Sequence, residues 1–237
     1  MNIALIGYGK MGKAIETIAK ERGHRIALII DQQNLQYLTK ENLQKIDVAI
    51  EFTGPHSAVS NLSNCINAGT PVVCGSTGWL QQWDEIKNLC QQQQGALIYA
   101  SNFSVGVNLF FELNKQLAVL MNNHPAYKIS VEETHHTEKK DAPSGTAISL
   151  AEQILQQISR KKNWTMASPA DDEILISSKR IDPAPGTHTI KYSSAIDDIE
   201  ITHTAHNRIG FATGAVLAAE FLLNKTGLFS MKDVLGI

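Results

Sequence analysis

Cysteine is scarce in this chain. The three cysteines, Cys65, Cys74 and Cys90, are odd in number and show no C-x-x-C spacing. Such a set fits free thiols in a reducing compartment better than a disulfide framework. We therefore expect a cytoplasmic protein that is not held together by disulfides.

Strong charge of one sign and long apolar runs are also missing. The formal net charge is −2 and there is no basic block, so nothing favours nucleic acid or an anionic membrane as a partner. The apolar stretch Ile3–Ile6 ends at Gly7, which makes it too short for a signal peptide or a membrane span. We expect small-molecule partners.

Short apolar runs alternate with amphipathic segments over the first hundred residues. The apolar runs predict buried parallel strands at Asn2–Ile6, Ile26–Ile30, Asp47–Phe52, Pro71–Cys74 and Ala96–Tyr99. The amphipathic segments predict helices at Met11–Arg22, His56–Ala68 and Leu80–Gln93. This alternation is typical of βαβ units, so we predict an α/β fold with an N-terminal Rossmann-type, doubly wound parallel sheet.

The pattern changes after Tyr99. Alternating segments now dominate, as is typical of a mostly antiparallel sheet with one solvated or partner-covered face. The predicted elements are helices at Val107–Met121 and Thr146–Ile158 and strands at Ile129–Val131, Glu173–Arg180, Gly186–Ser194 and Asp198–Ala205. A final apolar helix, Gly210–Leu223, resembles those of the first region. We predict a dinucleotide-binding domain of residues 1–103 and 209–237, with an inserted α+β substrate-binding and oligomerisation domain of residues 104–208.

A glycine-rich loop follows the first predicted strand directly. Its sequence, Gly7-Tyr8-Gly9-Lys10-Met11-Gly12, is a G-x-G-x-x-G that opens the first helix. The first glycine permits the tight turn, the second lets a pyrophosphate approach the backbone, and the third lets helix and strand pack closely. Asp31 ends the second strand, where an acid accepts a hydrogen bond from the adenosine ribose. We predict NADH or NADPH as the cofactor.

Asp31 also bears on the choice between the two cofactors. Its carboxylate attracts a ribose hydroxyl and repels a 2′-phosphate, and neither Gln32 nor Gln33 supplies a positive charge. Lys10 could partly offset the repulsion. We therefore expect NADH to be used at least as well as NADPH.

Two further loops follow predicted parallel strands. They are Gly75-Ser76-Thr77 and Ala100-Ser101-Asn102-Phe103. Ligands of open parallel sheets lie at the carboxyl ends of the strands, so both loops are candidates for the nicotinamide end of the cofactor. A plain turn is the alternative for each loop taken alone.

The run E-E-T-H-H-T-E-K-K-D-A-P-S-G-T-A at 132–147 places His135, His136 and Lys139 shortly before a predicted helix start. Free backbone N–H groups and a partial positive charge suit a helix start to an anion. A cap by Ser144, bare amides at Gly145 and Thr146, and a histidine able to give a proton describe a site for a small carboxylate. The alternative is an ordinary loop with a capping serine.

The other histidines carry a weaker signal. Adjacent residues on a strand point to opposite sides, so His135 and His136 are not expected to share a metal ion. For His188, His203 and His206 we expect structural or surface roles, and we predict no metal site.

The chain resembles the 4-hydroxy-tetrahydrodipicolinate reductase (dihydrodipicolinate reductase) family over nearly its whole length. The resemblance rests on G-Y-G-K-M-G at 7–12, E-F-T-G-P at 51–55, G-S-T-G-W at 75–79, S-N-F-S-V-G-V-N at 101–108, H-H-T-E-K-K-D-A-P-S-G-T at 135–146, Arg208, and G-L-F-S-M-K-D-V-L at 227–235. It implies NAD(P)H-dependent reduction of a cyclic dicarboxylate to tetrahydrodipicolinate in diaminopimelate and lysine biosynthesis, by a homotetramer formed through the second domain's sheet.

The resemblance also implies residue roles. The proton-transferring histidine corresponds to His135 and the catalytic lysine to Lys139. Substrate contacts fall on His136, Gly145 and Thr146, beside the capping Ser144. Cofactor contacts fall on the glycine loop, Asp31, Gly75–Thr77 and Ala100–Phe103. The chain departs from many members in a glycine loop that is one residue shorter and in Gln32, which replaces an arginine.

Two other functions remain open at this point. One is a different Rossmann oxidoreductase acting on a small carboxylate, although a semialdehyde dehydrogenase needs a nucleophilic cysteine and the predicted second domain has none. The other is a sensor that binds NADH without turnover. Oxidation of NADH that depends on added substrate separates an enzyme from a sensor.

Overall fold

The computed structural model describes residues 1–207 and 209–237, and it divides into two compact units. The first unit holds Met1–Asn108 and the C-terminal residues from Ile209 onward, and the second holds Leu109–Asn207. Arg208, which the sequence comparison singled out, lies outside the described residues.

Eleven strands and eight helices make up the described chain. The strands are β1 Asn2–Ile6, β2 Arg25–Ile30, β3 Val48–Glu51, β4 Val72–Cys74, β5 Ala96–Tyr99, β6 Lys128–His135, β7 Asn163–Thr165, β8 Glu173–Arg180, β9 Gly186–Ser193, β10 Asp198–Ala205 and β11 Gly227–Phe229. The helices are α1 Lys10–Glu21, α2 Lys40–Leu43, α3 Pro55–Ala68, α4 Trp83–Gln92, α5 Val105–Met121, α6 Gly145–Gln157, α7 Ile209–Leu222 and α8 Met231–Leu235. None of these helices is both long and apolar enough to cross a membrane.

The first unit contains a six-stranded sheet in the order β11-β5-β4-β3-β1-β2. All of its pairings are parallel, as the alternating strands and helices predict. Two apolar cores cover its two faces, one including residues of α1 and α7 and the other including residues of α3 and α4. The doubly wound sheet is therefore confirmed.

The strand order creates a switch point in this sheet. The chain passes from β1 to β2 on one side and then returns beyond β1 to β3. In sheets of this kind a crevice opens beyond the carboxyl ends of the strands at the switch point. The crevice here is flanked by the loops that follow Ile6 and Glu51.

The second unit contains a five-stranded sheet in the order β10-β9-β6-β8-β7. The pairs β10–β9 and β9–β6 are antiparallel, but β6–β8 and β8–β7 are parallel. The sheet is therefore mixed: the predicted antiparallel pairing holds for β10, β9 and β6, whereas β6, β8 and β7 run parallel. The physical reason lies in the connections: α6 carries the chain from the end of β6 back to the start of β7, and residues 166–172 carry it back from the end of β7 to the start of β8.

Side chains alternate across the second sheet. Its apolar face packs with residues of α5 and α6 around Val131, Ile176 and Ile190. The opposite face carries polar side chains such as Thr189 and Thr202, whose hydroxyl oxygens lie 3.0 Å apart. One face is thus a core and the other is polar and partly exposed.

The predicted bounds of most longer elements agree with the structure to within about three residues, but β6 extends four residues beyond the predicted end at Val131, to His135. The predicted helix at Leu80–Gln93 begins with a short 3₁₀ turn, Leu80–Gln82, before α4. The short elements β7, β11 and α8 were not predicted, since three to five residues give too little periodicity to recognise.

Candidate active site

The glycine loop of the first unit is shaped by close backbone contacts. Gly7 has φ +97°, and a Cβ there would lie 2.2 Å from the carbonyl oxygen of Phe52. A Cβ on Gly12 would lie 2.3 Å from the carbonyl oxygen of Gly7. By contrast, no atom lies within 4 Å of a Cβ built on Gly9. Gly7 and Gly12 therefore allow the turn to pack closely, whereas Gly9 leaves open space where a ligand can approach.

The remaining loop side chains point to different surroundings. The hydroxyl of Tyr8 donates a hydrogen bond to Glu16, and Met11 packs partly buried against the apolar core. Lys10 is exposed. Lys10 is thus the one charged residue of these three, and its exposed side chain is available to a ligand.

A cleft of about 680 Å³ opens at the switch point. It is lined by residues that include Gly7–Gly9, Asp31–Gln33 and Thr53–Ser57. The Oδ1 atom of Asp31 accepts a hydrogen bond of 2.8 Å from the backbone N–H of Gln33. The structure thus brings the glycine loop and the predicted ribose-binding acid together, in a space suited to the adenosine half of a dinucleotide.

The loops after β4 and β5 follow strands that end at the same edge of the sheet, but they do not line this cleft. A Cβ on Gly75 would lie 2.2 Å from the ring of Phe52, and Ser76 accepts a hydrogen bond of 2.8 Å from the N–H of Thr53. Thr77 and Ser101 are exposed, and Ala100 and Asn102 are half-buried. Phe103 is buried in the core, so its side chain is not available to a ligand.

Glu51, the last residue of β3 and the first of the E-F-T-G-P motif, is fully buried. Its carboxylate accepts hydrogen bonds from the N–H and hydroxyl groups of Thr53 and from Asn61, and it lies 3.3 Å from the Cys74 Sγ atom. Its contacts hold the loop after β3 in place.

The second unit gathers polar side chains in one row of its sheet. Glu133 lies opposite Ser178 on β8 and His188 on β9, and His188 lies opposite His203 on β10. The next row inward is apolar. The polar row therefore lies at the border of the apolar core. Its side chains are on the buried face of the sheet, because residues two apart on a strand point to the same side.

Glu133 is fully buried. Both of its carboxylate oxygens lie 3.1 Å from the backbone N–H of Ser144, which donates to them. Oε1 also accepts hydrogen bonds from the Ser178 hydroxyl at 2.8 Å and from Arg180 at 3.3 Å. Burial alone would raise the pKa of Glu133. The nearby imidazole of His188, at 3.7 Å, and the hydrogen bonds from Ser144 and Ser178 outweigh it and hold the pKa well below its usual range. The carboxylate is therefore ionised at neutral pH.

His135 lies beside this carboxylate. Its Nδ1 atom is buried and lies 3.3 Å from Oε2 of Glu133, an ion-pair distance, but is not aligned as a formed hydrogen bond and has no other partner among the described residues. Burial lowers the pKa of His135 to about 4. The charge of Glu133 opposes this shift, whereas the charges on His188, Lys139 and Arg180 add to it. Without a ligand, the imidazole is neutral at pH 7.

Two neighbours on β9 complete the surroundings of His135. Its ring and that of His188 meet edge to face at 5.1 Å, and the Nε2 atom of His188 lies 3.1 Å from the Ser144 hydroxyl. A Cβ on Gly186 would lie 3.1 Å from Nε2 of His135, so glycine leaves that ring room. The sequence reasoning did not anticipate that His188 belongs to this cluster, although its place in the alternating run H-T-I-K-Y was the available signal.

The loop between β6 and α6 holds the predicted lysine. The ammonium group of Lys139 lies 2.9 Å from both carboxylate oxygens of Asp141. Arg180 donates hydrogen bonds to the carbonyl oxygens of Lys139 and Asp141, and so ties this loop to β8. The contacts of Asp141 with Lys139 and Arg180 therefore hold the loop in place. Arg180 was missed because only the pairing of β8 with β6 brings it here.

The start of α6 is open to solvent. The Ser144 side chain accepts a hydrogen bond of 3.3 Å from the N–H of Ala147, as a cap does. No atom lies within 4 Å of a Cβ built on Gly145, and Thr146 is half-buried. His136 is half-buried whereas His135 is buried. An anion can therefore reach the first backbone N–H groups of α6, which follow directly after the loop that carries Lys139.

One group among the described residues has the spacing of a metal site. Ligand atoms of Glu133, His135 and His188 all lie within 4.8 Å of one another. However, the oxygens of Glu133 already accept hydrogen bonds from Ser144, Ser178 and Arg180. This arrangement favours a network that handles protons over a metal centre.

The fold, the cleft at the glycine loop and the buried group of Glu133, His135 and His188 together define a Rossmann-type oxidoreductase. Its candidate acid–base residues lie in the second unit. Comparison with known proteins narrows this class. The family "Dihydrodipicolinate reductase, N-terminus" matches residues 1–103, and "Dihydrodipicolinate reductase, C-terminus" matches residues 106–235. The chain belongs to the dihydrodipicolinate reductase family, as its motifs predicted. Members of this family are oxidoreductases that use NADH or NADPH, with the nucleotide bound by the N-terminal Rossmann domain.

Named relatives agree. The chain is 51% identical over 237 residues to 4-hydroxy-tetrahydrodipicolinate reductase of Christiangramia forsetii, covering 99% of this chain and 98% of the relative. It is 35% identical to the enzyme of that name from Nitrosomonas europaea, covering 100% and 98%. A solved dipicolinate-bound dihydrodipicolinate reductase from Paenisporosarcina sp. TG-14 has a TM-score of 0.81 and 21% identity, with 98% of each chain covered, which shows a shared fold.

Proposed function

We propose that this protein reduces 4-hydroxy-tetrahydrodipicolinate to tetrahydrodipicolinate with NADH or NADPH, a step of diaminopimelate and lysine biosynthesis. The observation that carries this proposal is the buried Glu133–His135 pair beside an open, cation-flanked helix start. Bound NAD(P)H supplies the hydride. Loss of the 4-hydroxyl as water and uptake of one proton then balance the conversion, and the protein must deliver that proton.

His135 is the proposed proton donor. Its Nδ1 atom faces Glu133, so Nε2 is the ring atom left to give a proton to the ligand. Its pKa of about 4 without a ligand is too low for a general acid near neutral pH. A dianionic substrate beside the ring would raise that pKa, because a nearby negative charge stabilises the imidazolium.

The substrate carboxylates are assigned to the loop and the helix start. Lys139 is the proposed catalytic lysine: it exchanges part of its pairing with Asp141 for a carboxylate and polarises the acceptor. The amides of Gly145 and Thr146 bind the other carboxylate, with Ser144 and His136 completing the substrate-binding set. A dipicolinate-like ligand fits this chemistry because it presents two carboxylates on one ring.

The glycine loop, Asp31, Gly75–Thr77 and the backbone of Ala100–Phe103 are the proposed cofactor contacts. The open space over Gly9 and the cleft that contains Asp31 support the assignment of the adenosine half. The two residues that follow Asp31, Gln32 and Gln33, carry no positive charge that could bind a 2′-phosphate. We therefore propose that NADH is used at least as well as NADPH.

The proposed domain assignment follows the two functions. Residues 1–103 and 209–237 bind the dinucleotide, and residues 104–208 bind the substrate and form the oligomer. The polar face of the second sheet is the proposed surface of a homotetramer, and the cytoplasm is the proposed location. Light scattering coupled to size-exclusion chromatography tests the assembly, and the mass of a single chain would contradict it.

The test of the reaction is an NADH-oxidation assay coupled to the preceding synthase, which condenses pyruvate with aspartate semialdehyde. We expect oxidation only when the synthase, both of its substrates and this protein are present. NADH binding without oxidation would instead indicate a sensor. Oxidation that another small carboxylate supports but this mixture does not would indicate a different oxidoreductase.

A further inference from the structure

We propose that Glu133 is a positioning residue for the reaction: its carboxylate orients the imidazole of His135 and, through the same oxygens, anchors the first turn of the anion-binding helix α6. This inference rests on the proposed function. It adds a role for a side chain that is not among the proposed substrate or cofactor contacts.

Glu133 joins three elements through one carboxylate. It lies on β6, its two oxygens accept the N–H of Ser144 at 3.1 Å, and Oε1 accepts Ser178 and Arg180 from β8. Ser144 caps α6. A displacement of this carboxylate would therefore move the helix start and the strand carrying the proton donor together.

The same carboxylate selects the tautomer of His135. Oε2 lies 3.3 Å from a buried Nδ1 atom that has no other partner among the described residues. A proton on Nδ1 would face the carboxylate favourably, whereas a lone pair there would face a negative charge. Nε2 is then the atom that takes up a proton and passes it to the ligand, as in the carboxylate–imidazole pairs of hydrolytic enzymes.

Burial lowers the pKa of His135, and the surrounding charges modify that shift. Glu133 on β6 favours the imidazolium, whereas His188 on β9, Arg180 on β8 and Lys139 on the following loop disfavour it. Glu133 is thus the one group named here that stabilises the protonated ring before substrate binds. Without its charge, His135 would lose its proton at a lower pH.

The central experiment compares Glu133→Gln with Glu152→Gln, the same change at an exposed position of α6. We expect Glu133→Gln to lower kcat about 10- to 100-fold, less than removal of the proton donor itself. The alkaline limb of its pH–rate profile should move to lower pH. NADH affinity, measured by fluorescence titration, should be unchanged, and the control should match the wild type in all three.

A second measurement does not depend on a folded variant. Nitrogen-15 NMR of the wild-type protein reports which ring nitrogen of His135 carries the proton. We expect the Nδ1–H tautomer without ligand, and a change to the Nε2–H tautomer in Glu133→Gln if that variant folds. An Nε2–H tautomer in the wild type would overturn the proposal.

The outcomes separate this inference from the function on which it rests. A wild-type protein with no activity in the coupled assay contradicts the proposed function. An active wild type whose Glu133→Gln variant keeps both its kcat and its pH profile overturns the positioning role alone, as does a variant that loses only thermal stability.

Discussion

The two units build their candidate sites from different materials. In the first unit the glycine loop depends on side chains that are absent: Gly7 and Gly12 pack where a Cβ would lie 2.2–2.3 Å from a carbonyl oxygen. In the second unit the site depends on side chains that are present and buried, with Glu133 at the centre. The first site is formed by backbone atoms around open space, and the second is formed by buried polar groups joined by hydrogen bonds and ion pairs.

This difference has consequences for substitution. A backbone site tolerates exchange of its exposed side chains but not the addition of a methyl group at a packed glycine. A network of buried polar groups responds to the loss of a single charge, because each group satisfies its neighbours. The following predictions test that contrast, from the largest expected effect to the smallest.

His135→Gln should lower turnover by about two to four orders of magnitude, since it removes the general acid. NADH affinity should change little, because His135 lies in the second unit and the proposed nucleotide contacts lie in the first. Steady-state kinetics and NADH titration check both parts. The exposed His124 provides the control His124→Gln, and full activity in His135→Gln would exclude His135 as the donor.

Lys139→Ala should lower kcat/KM about 10- to 100-fold, the effect of losing a hydrogen bond to a charged group. Both kcat and KM should change if this ammonium group holds a carboxylate and polarises the acceptor. Lys140→Ala, at the exposed neighbour, should behave like the wild type. Equal losses in the two variants would indicate a general effect of charge on the loop.

Gly12→Ala should destabilise the protein by about 1–3 kcal/mol, because the new methyl group overpacks against the Gly7 carbonyl. Gly9→Ala should leave the melting temperature unchanged, since no atom lies within 4 Å of its Cβ, yet weaken NADH binding. Thermal unfolding and NADH titration separate the two. Loss of stability in Gly9→Ala with NADH binding intact would contradict the proposed role of Gly9 in the cofactor site.

Asp31→Ala should raise the preference for NADPH over NADH about tenfold, because a like charge is removed near the position of the 2′-phosphate. The ratio of kcat/KM for the two cofactors is the measurement. The fold should be retained, as Asp31 is half-buried at the end of β2. An unchanged ratio would place the ribose elsewhere.

Much of the fold was predictable because it follows from local pattern. The apolar runs located β1 and β5 to the residue, and the alternation of Glu173–Arg180 and Asp198–Ala205 located β8 and β10 equally well. The mixed pairing of the second sheet was not predictable, because the parallel pairing of β6 with β8 depends on where α6 packs and not on local sequence pattern.

The candidate site was predictable where its residues are close in the chain. His135, Lys139 and the start of α6 fall within eleven residues of sequence, and the structure keeps them together. Ser178, Arg180 and His188 come from strands more than 40 residues beyond Glu133, and sequence spacing alone gives no sign that they meet.

The sequence by itself determined the parallel sheet, the glycine turn and the family, because these depend on local periodicity and on residue types at fixed spacing. Only the tertiary structure decided that Glu133 is surrounded by Ser144, Ser178, Arg180 and two imidazoles. Strand register and the position of α6 bring those groups within hydrogen-bonding or ion-pairing distance. Hydrogen bonds to Glu133 keep its carboxylate charged despite its burial, whereas burial keeps His135 neutral.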